Sequence, residues 1–149
     1  NAFLGEERRA FFYGHTFTAH QLGCATAMAS LDVFRDEAVL ESLPSKIALM
    51  RELAEDACQK SVFLSGFRQA GMVMGIDVSR PDGSPYPKEW GMGMNACLAM
   101  RPYGLLTRPI VDTIVVMPPL CINEQELRAL FYALIRGVED ACLAAEKNA

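Results

Sequence analysis

The cleanest alternation of apolar and polar positions lies near the C-terminus. There Leu127, Leu130, Phe131, Leu134, Ile135, Val138 and Cys142 recur at three- and four-residue spacing, the stripe of an amphipathic helix. Asn123, followed three residues later by Glu126, supplies a capping-box start for it. Two further helices are predicted upstream. Leu22 to Arg35 is Ala-rich, with small residues at Ala25, Ala27 and Ala29 that allow close approach of another element. Ser45 to Gln59 keeps Ile47, Met50, Leu53, Ala54 and Ala57 on one side, with Pro44 suited to the first helical turn. A fourth helix is predicted over Lys88 to Met100, stopped by Pro102 and Gly104.

Between these segments the period changes. Val62 to Leu64 and Met72 to Val78 read as strands joined or bent at glycines, and Leu105 to Arg108 and Thr113 to Met117 as two more, the last ended by Pro118-Pro119. Pro81, Asp82, Gly83, Pro85 and Pro87 mark a surface loop. The expected fold is α+β, a small mainly antiparallel sheet with helices packed on one face.

Composition narrows the class without choosing a function. The 149 residues, 51% hydrophobic and 21% charged, suit one domain able to bury about two-thirds of its unfolded surface. A net charge of -4 with scattered Lys and Arg argues against nucleic acid or an anionic membrane as partner. No run approaches a membrane span of roughly twenty apolar residues, and no signal-peptide series is present, so a cytoplasmic protein is expected. Cys24, Cys58, Cys97, Cys121 and Cys142 lack CxxC spacing, so reduced, mostly buried thiols are expected and no metal site or disulfide framework. Asn1-Ala2 opens the chain where Met would be natural, which suggests a tag remnant or an internal cut and hence a piece of a longer protein. Phe3, Leu4, Phe11 and Phe12 either pack on a neighbouring domain or subunit or fold back on the local core.

Two places carry candidate chemistry. In Gly14-His15-Thr16, just ahead of a helix, a hydroxyl and backbone N–H groups can converge on a phosphate; without a ligand the same residues form a helix-capping loop, the reading that the residues alone favour. Arg108, ahead of Pro109, offers the planar fork a carboxylate prefers, or a surface or interdomain salt bridge with one of the 18 acidic residues. Leu106, Ile110 and Ile114 give it apolar surroundings. Arg68 is expected to order the sheet edge, and Tyr86 to pack. His15 and His20 have no spaced carboxylate or cysteine to orient them as acid or base, and Lys46, Lys60, Lys88 and Lys147 are expected to be solvated.

Taken together, Phe12-Tyr13-Gly14-His15-Thr16-Phe17-Thr18, Arg108-Pro109 and Met117-Pro118-Pro119-Leu120 resemble the C-terminal part of class III pyridoxal-phosphate (PLP) aminotransferases, and within them the branch that acts on 8-amino-7-oxononanoate in biotin biosynthesis. The resemblance implies the fold expected above, here as the C-terminal domain of a fold-type I enzyme. It implies residues 1–20 as an interdomain segment contacting the cofactor and 21–149 as the small domain, with the N-terminal and large PLP-binding domains absent. It also implies His15 and Thr16 as PLP contacts across a homodimer, and Gly14 and Arg108 as substrate contacts, Arg108 at the carboxylate. No catalytic residue is assigned to the chain, because none of its lysines stands in a PLP context and the family's PLP lysine lies upstream. At His20 many relatives carry Asn. The amino donor, S-adenosylmethionine or lysine, stays open. So do two alternatives, another class III ω-amino acid aminotransferase and a non-catalytic small-molecule binding module.

Overall fold

The computed structural model describes residues 6, 7, 9, 10 and 12–147, so Phe3, Leu4 and Phe11 fall outside it. The chain forms two compact units, Asn1–Ala38 and Val39–Ala149. They part at Ala38, whose φ of 46° turns the backbone sharply.

In the first unit, α1 spans Gln21–Asp36 and buries none of its residues. His20 caps it, its Nδ1 accepting from the Gly23 N–H at 3.1 Å. An Asn side chain at an N-cap does the same work, so the departure at His20 preserves the cap.

The second unit holds a four-stranded sheet in the order β1-β2-β4-β3, every neighbouring pair antiparallel. Its strands are β1 (Leu64–Ala70), β2 (Val73–Val78), β3 (Pro109–Ile110) and β4 (Thr113–Val116), and its helices α2 (Val39–Lys60), α3 (Met92–Ala99) and α4 (Glu124–Lys147). Alternation along β2 and β4 sends Met74, Ile76, Val78, Ile114 and Val116 into the core. Met50, Ala54 and Ala57 of α2 and Leu127, Phe131, Leu134 and Val138 of α4 complete that core, so the helices cover one face and the α+β expectation holds. The capping box forms as read: Asn123 Oδ1 accepts from the Glu126 N–H and Glu126 Oε2 from the Asn123 N–H, both at 2.9 Å.

Several boundaries differ from expectation, each for a local reason. Helix α2 starts at Val39, so Pro44 lies inside it; the Leu40 carbonyl it leaves unpaired belongs to an exposed stretch where solvent can satisfy it. Strand β1 does not end near Gly66. A register shift between Leu64 and Gly66 absorbs one residue as a bulge, and the strand runs on to a tight turn at Gly71, whose φ is 59°. The helix expected over Lys88 to Met100 is broken at Gly91 (φ 56°) into a 3-10 turn, Lys88–Trp90, and α3. The stretch Leu105 to Arg108 is not a ladder strand. There the Thr107 hydroxyl donates to the Val115 carbonyl at 2.6 Å in place of a main-chain donor, and regular pairing starts only at Pro109.

Candidate functional site

Pairing in the second unit decides which polar residues share the sheet face that the helices leave open. Ile110 stands opposite Thr113, Thr113 opposite Asp77, and Arg68 opposite Gly75, so these side chains project to one side. Arg108, two residues before Ile110 and with its carbonyl accepting from the Val115 N–H at 3.3 Å, falls on the same side by alternation. The open face therefore carries two arginines at opposite edges.

Their environments differ. Arg68 is committed: it donates to Asp77 Oδ2 at 2.7 Å and to Thr113 Oγ1 at 3.1 Å, while the Thr113 hydroxyl donates to Asp77 Oδ1 at 2.6 Å. Burial pushes the Asp77 carboxyl upward, but the bonds from Arg68 and Thr113 outweigh it and hold the group below the ordinary range. Gly75 leaves room for this cluster, since a Cβ there would sit 3.0 Å from Thr113 Cγ2. Arg68 thus orders the sheet edge, as expected. Arg108 is exposed, and its guanidinium has no hydrogen-bond or ion-pair partner among the described residues. A surface salt bridge, one of the alternatives open at the level of sequence, is not formed among the described residues.

The apolar surroundings of Arg108 are partly as expected. Leu106 and Ile110 are 77% and 64% exposed, but Ile114 is fully buried on the helix side and cannot flank the guanidinium, because adjacent strand residues point to opposite faces. Just before Arg108, Leu105, Leu106 and Thr107 line a recess of about 200 Å³ with Met117, Pro119 and Leu130. A larger, shallower concavity of about 420 Å³ covers the open face over Val73, Gly75, Ile110, Thr113 and Val115, with Arg68 at its edge.

In the first unit, the Gly14-His15-Thr16 segment enters a turn that spends some donors and leaves others. The His15 N–H donates to Thr18 Oγ1 at 2.9 Å and the Phe17 N–H to His15 Nδ1 at 3.1 Å. One nitrogen of His15 therefore builds the turn, and only Nε2 remains for a ligand. The hydroxyl and N–H of Thr16 are exposed and have no partner among the described residues. A Cβ on Gly14 would meet nothing within 4 Å, so the chain's own packing does not demand glycine there. A hydroxyl, a free N–H and an unhindered backbone fit a phosphate group.

Other assignments resolve into structure. Lys46 is not merely solvated: its Nζ donates to the Leu120 carbonyl at 2.7 Å, tying α2 to the end of the Met117-Pro118-Pro119-Leu120 run. Lys60 pairs with Asp56 at 2.7 Å. Tyr86 is a packing residue, 3% exposed, with Arg80 over its ring and Trp90 beside it. Its hydroxyl lies against the Cys142 thiol and makes no well-formed hydrogen bond among the described residues; burial pushes that thiol up to about 11. Cys97 and Cys142 are buried and Cys58 half-buried, but Cys24 and Cys121 are exposed, so burial covers fewer thiols than expected. Among the described residues no group of His, Cys, Asp or Glu could hold a metal ion, and no helix is long and apolar enough to cross a membrane. The residue that sequence reasoning missed altogether is Asp112, whose Oδ1 accepts from the Gly93 N–H at the start of α3 at 2.8 Å.

Comparison with known proteins identifies the family. The family model Aminotransferase class-III matches residues 2–138. The chain is 37% identical to the adenosylmethionine-8-amino-7-oxononanoate aminotransferase of Geobacter sulfurreducens over 142 residues, 93% of this chain and 31% of that protein. It is likewise 37% identical to the one from Aquifex aeolicus, over 94% of this chain and 32% of the relative. The crystal structure of the Methanocaldococcus jannaschii enzyme of the same name superposes with a TM-score of 0.79 at 31% identity, covering 93% of this chain and 32% of that one. The chain thus spans about a third of the length of these relatives. A family-model match over nearly all of its residues, together with relatives 37% identical over more than nine-tenths of its length, establishes that the chain belongs to the class III aminotransferases.

Proposed function

We propose that this chain is the C-terminal third of a PLP-dependent aminotransferase that passes an amino group to the keto carbon of 8-amino-7-oxononanoate, forming 7,8-diaminononanoate in biotin biosynthesis. The observation that carries the reading is Arg108, an exposed guanidinium without a partner among the described residues on a face whose other arginine is fully engaged. A carboxylate presented to it gains two parallel charge-assisted bonds, and the apolar recess formed by the residues just before it suits a methylene chain. Both features match a substrate whose carboxylate lies several carbons from its reacting carbon.

PLP, when bound, supplies the electrophilic carbon and electron-withdrawing ring on which amino-group transfer depends. Thr16 donates its hydroxyl and N–H to the phosphate of that cofactor across a homodimer, His15 adds its free Nε2, and Gly14 leaves space for the keto acid. None of Lys46, Lys60, Lys88 and Lys147 stands in a context resembling the family's PLP lysine, which supports a reading in which that lysine comes from outside this chain. The complete enzyme works in the cytoplasm, and the names of its relatives, adenosylmethionine-8-amino-7-oxononanoate aminotransferases, favour S-adenosylmethionine over lysine as amino donor.

The deciding experiment is amino transfer by the complete protein with 8-amino-7-oxononanoate offered beside succinate semialdehyde and pyruvate as acceptors. Preferred formation of 7,8-diaminononanoate supports the reading. Preference for another acceptor assigns the chain to a different ω-amino acid aminotransferase, and absence of any transfer by the PLP-loaded protein overturns the enzymatic reading.

A further inference from the structure

We propose that Asp112 is a positioning residue for Arg108, clamping the hairpin that carries the guanidinium against the start of α3. The inference rests on Arg108 being the carboxylate clamp. Arg108 precedes an edge strand of only two residues, Pro109–Ile110, which has little ladder of its own to fix its direction. The turn that follows is strained. Val111 has a φ of 55°, a left-handed conformation that β-branched residues almost never adopt and that hairpin turns give to Gly, Asn or Asp. Its side chain is 71% exposed, so packing does not offset the strain, and other contacts must hold the turn in place.

Those contacts converge on Asp112. Its carboxylate accepts from the Gly93 N–H at 2.8 Å, where a negative charge is favoured by the helix N-terminus, and its carbonyl accepts from the Val78 N–H at 2.9 Å. One residue therefore joins the turn to α3 through its side chain and to β2 through its main chain. Gly93 makes the approach possible, for a Cβ there would lie 2.2 Å from the Val111 carbonyl oxygen and 2.9 Å from Pro109 Cβ. The turn, Pro109 and α3 are fitted together within van der Waals contact, and Arg108 is the next residue along. Loss of the clamp leaves a strained turn free to relax and carries the guanidinium with it.

The test compares Asp112→Ala, Asp112→Asn, Arg108→Ala and the double variant in the complete PLP-loaded protein, with Asn123→Ala as a control that weakens only the α4 cap. Asp112→Ala should raise KM for 8-amino-7-oxononanoate about tenfold while kcat and the donor KM stay within about twofold, the pattern of lost ground-state binding. Asp112→Asn keeps an acceptor for the Gly93 N–H and should restore the acceptor KM to within about twofold of wild type. Added to Arg108→Ala, the Asp112 change should have no further effect on the acceptor KM, because the two act as one unit. Parallel rises in donor and acceptor KM, failure of Asn to rescue, multiplying effects in the double variant, or the same acceptor defect in Asn123→Ala would each overturn the proposal. If Arg108→Ala itself leaves the acceptor KM unchanged, the clamp assignment fails and the proposal falls with it. If Arg108→Ala is impaired and Asp112→Ala is not, only the positioning role fails.

Discussion

Gly93→Ala sets two effects of known sign against each other. Alanine is the better helix former by about 1 kcal/mol, so propensity alone forecasts a more stable α3. The structure forecasts the reverse. The new methyl would fall 2.2 Å from the Val111 carbonyl oxygen, 2.9 Å from Pro109 Cβ and 3.0 Å from Asp112 Cα, and main-chain atoms cannot escape by changing rotamer. Overpacking of this kind costs about 1 to 3 kcal/mol, and the upper end applies because three atoms of one hairpin are pressed together. The net expectation is a loss of about 2 kcal/mol, which speeds amide exchange in α3 and β4 by about thirtyfold if those amides exchange through the affected unit. Relief also requires the hairpin to withdraw by about 1 Å, and a misplacement of that size at a binding group can cost up to about a hundredfold in rate. Kinetics of the complete protein should therefore show a large fall in kcat/KM for the keto acid and little change for the amino donor. Slower exchange in α3 together with an unchanged acceptor kcat/KM would show that the hairpin and α3 are not in the contact described, and the reasoning would be refuted.

Gly137→Ala repeats the conflict between α4 and α3, where a Cβ would sit 2.4 Å from Met100 Cγ and 2.7 Å from Met100 N; exchange in α4 should accelerate by at least about tenfold despite the gain in propensity, and a slowing would contradict the packing. Thr16→Val should weaken PLP retention by about 1 to 2 kcal/mol, measured by cofactor dissociation, and mixing that variant with a subunit lacking its PLP lysine should restore activity in one class of site; mixed dimers without recovery would place Thr16 in its own subunit's site or none. Asp77 is depressed on folding, so its pairing adds stability above the unfolded pKa near 3.8 and loses it as pH falls through the lower folded value. Asp77→Asn should flatten that acid limb in urea melts taken below pH 4, and an unchanged limb would exclude the pair as its source. Tyr86→Phe removes a buried hydroxyl that makes no well-formed hydrogen bond among the described residues and meets only the weakly polar Cys142 thiol. Stability should stay level or rise by up to about 1 kcal/mol, and a melt showing a clear loss would reveal a partner for that hydroxyl.

Sequence alone determined what depends on near neighbours. The α4 stripe and its Asn123–Glu126 box are legible because the residues that pack or cap lie within one or two helical turns of each other. The Pro- and Gly-rich loop after β2 and the stop at Pro118-Pro119 follow from backbone restrictions that Pro and Gly impose wherever they stand. The family motifs likewise marked Thr16 and Arg108, because a free hydroxyl in a turn and a guanidinium at a strand end are local features.

Tertiary structure decided what depends on residues far apart in the chain. No local pattern tells that Arg68 is paired with Asp77 and bonded to Thr113 while Arg108 has no partner among the described residues; that distinction arises only when β1, β2 and β4 are brought into register. Ile114, adjacent in sequence to residues of the open face, is turned to the core by the two-residue period of the sheet. The Lys46 tie to Leu120 and the Asp112 clamp on Gly93 join segments with no pattern in common. Each of these bonds is made because the hydrophobic core has already placed its partners together, and a main-chain carbonyl or N–H accepts or donates in the same way whatever residue carries it.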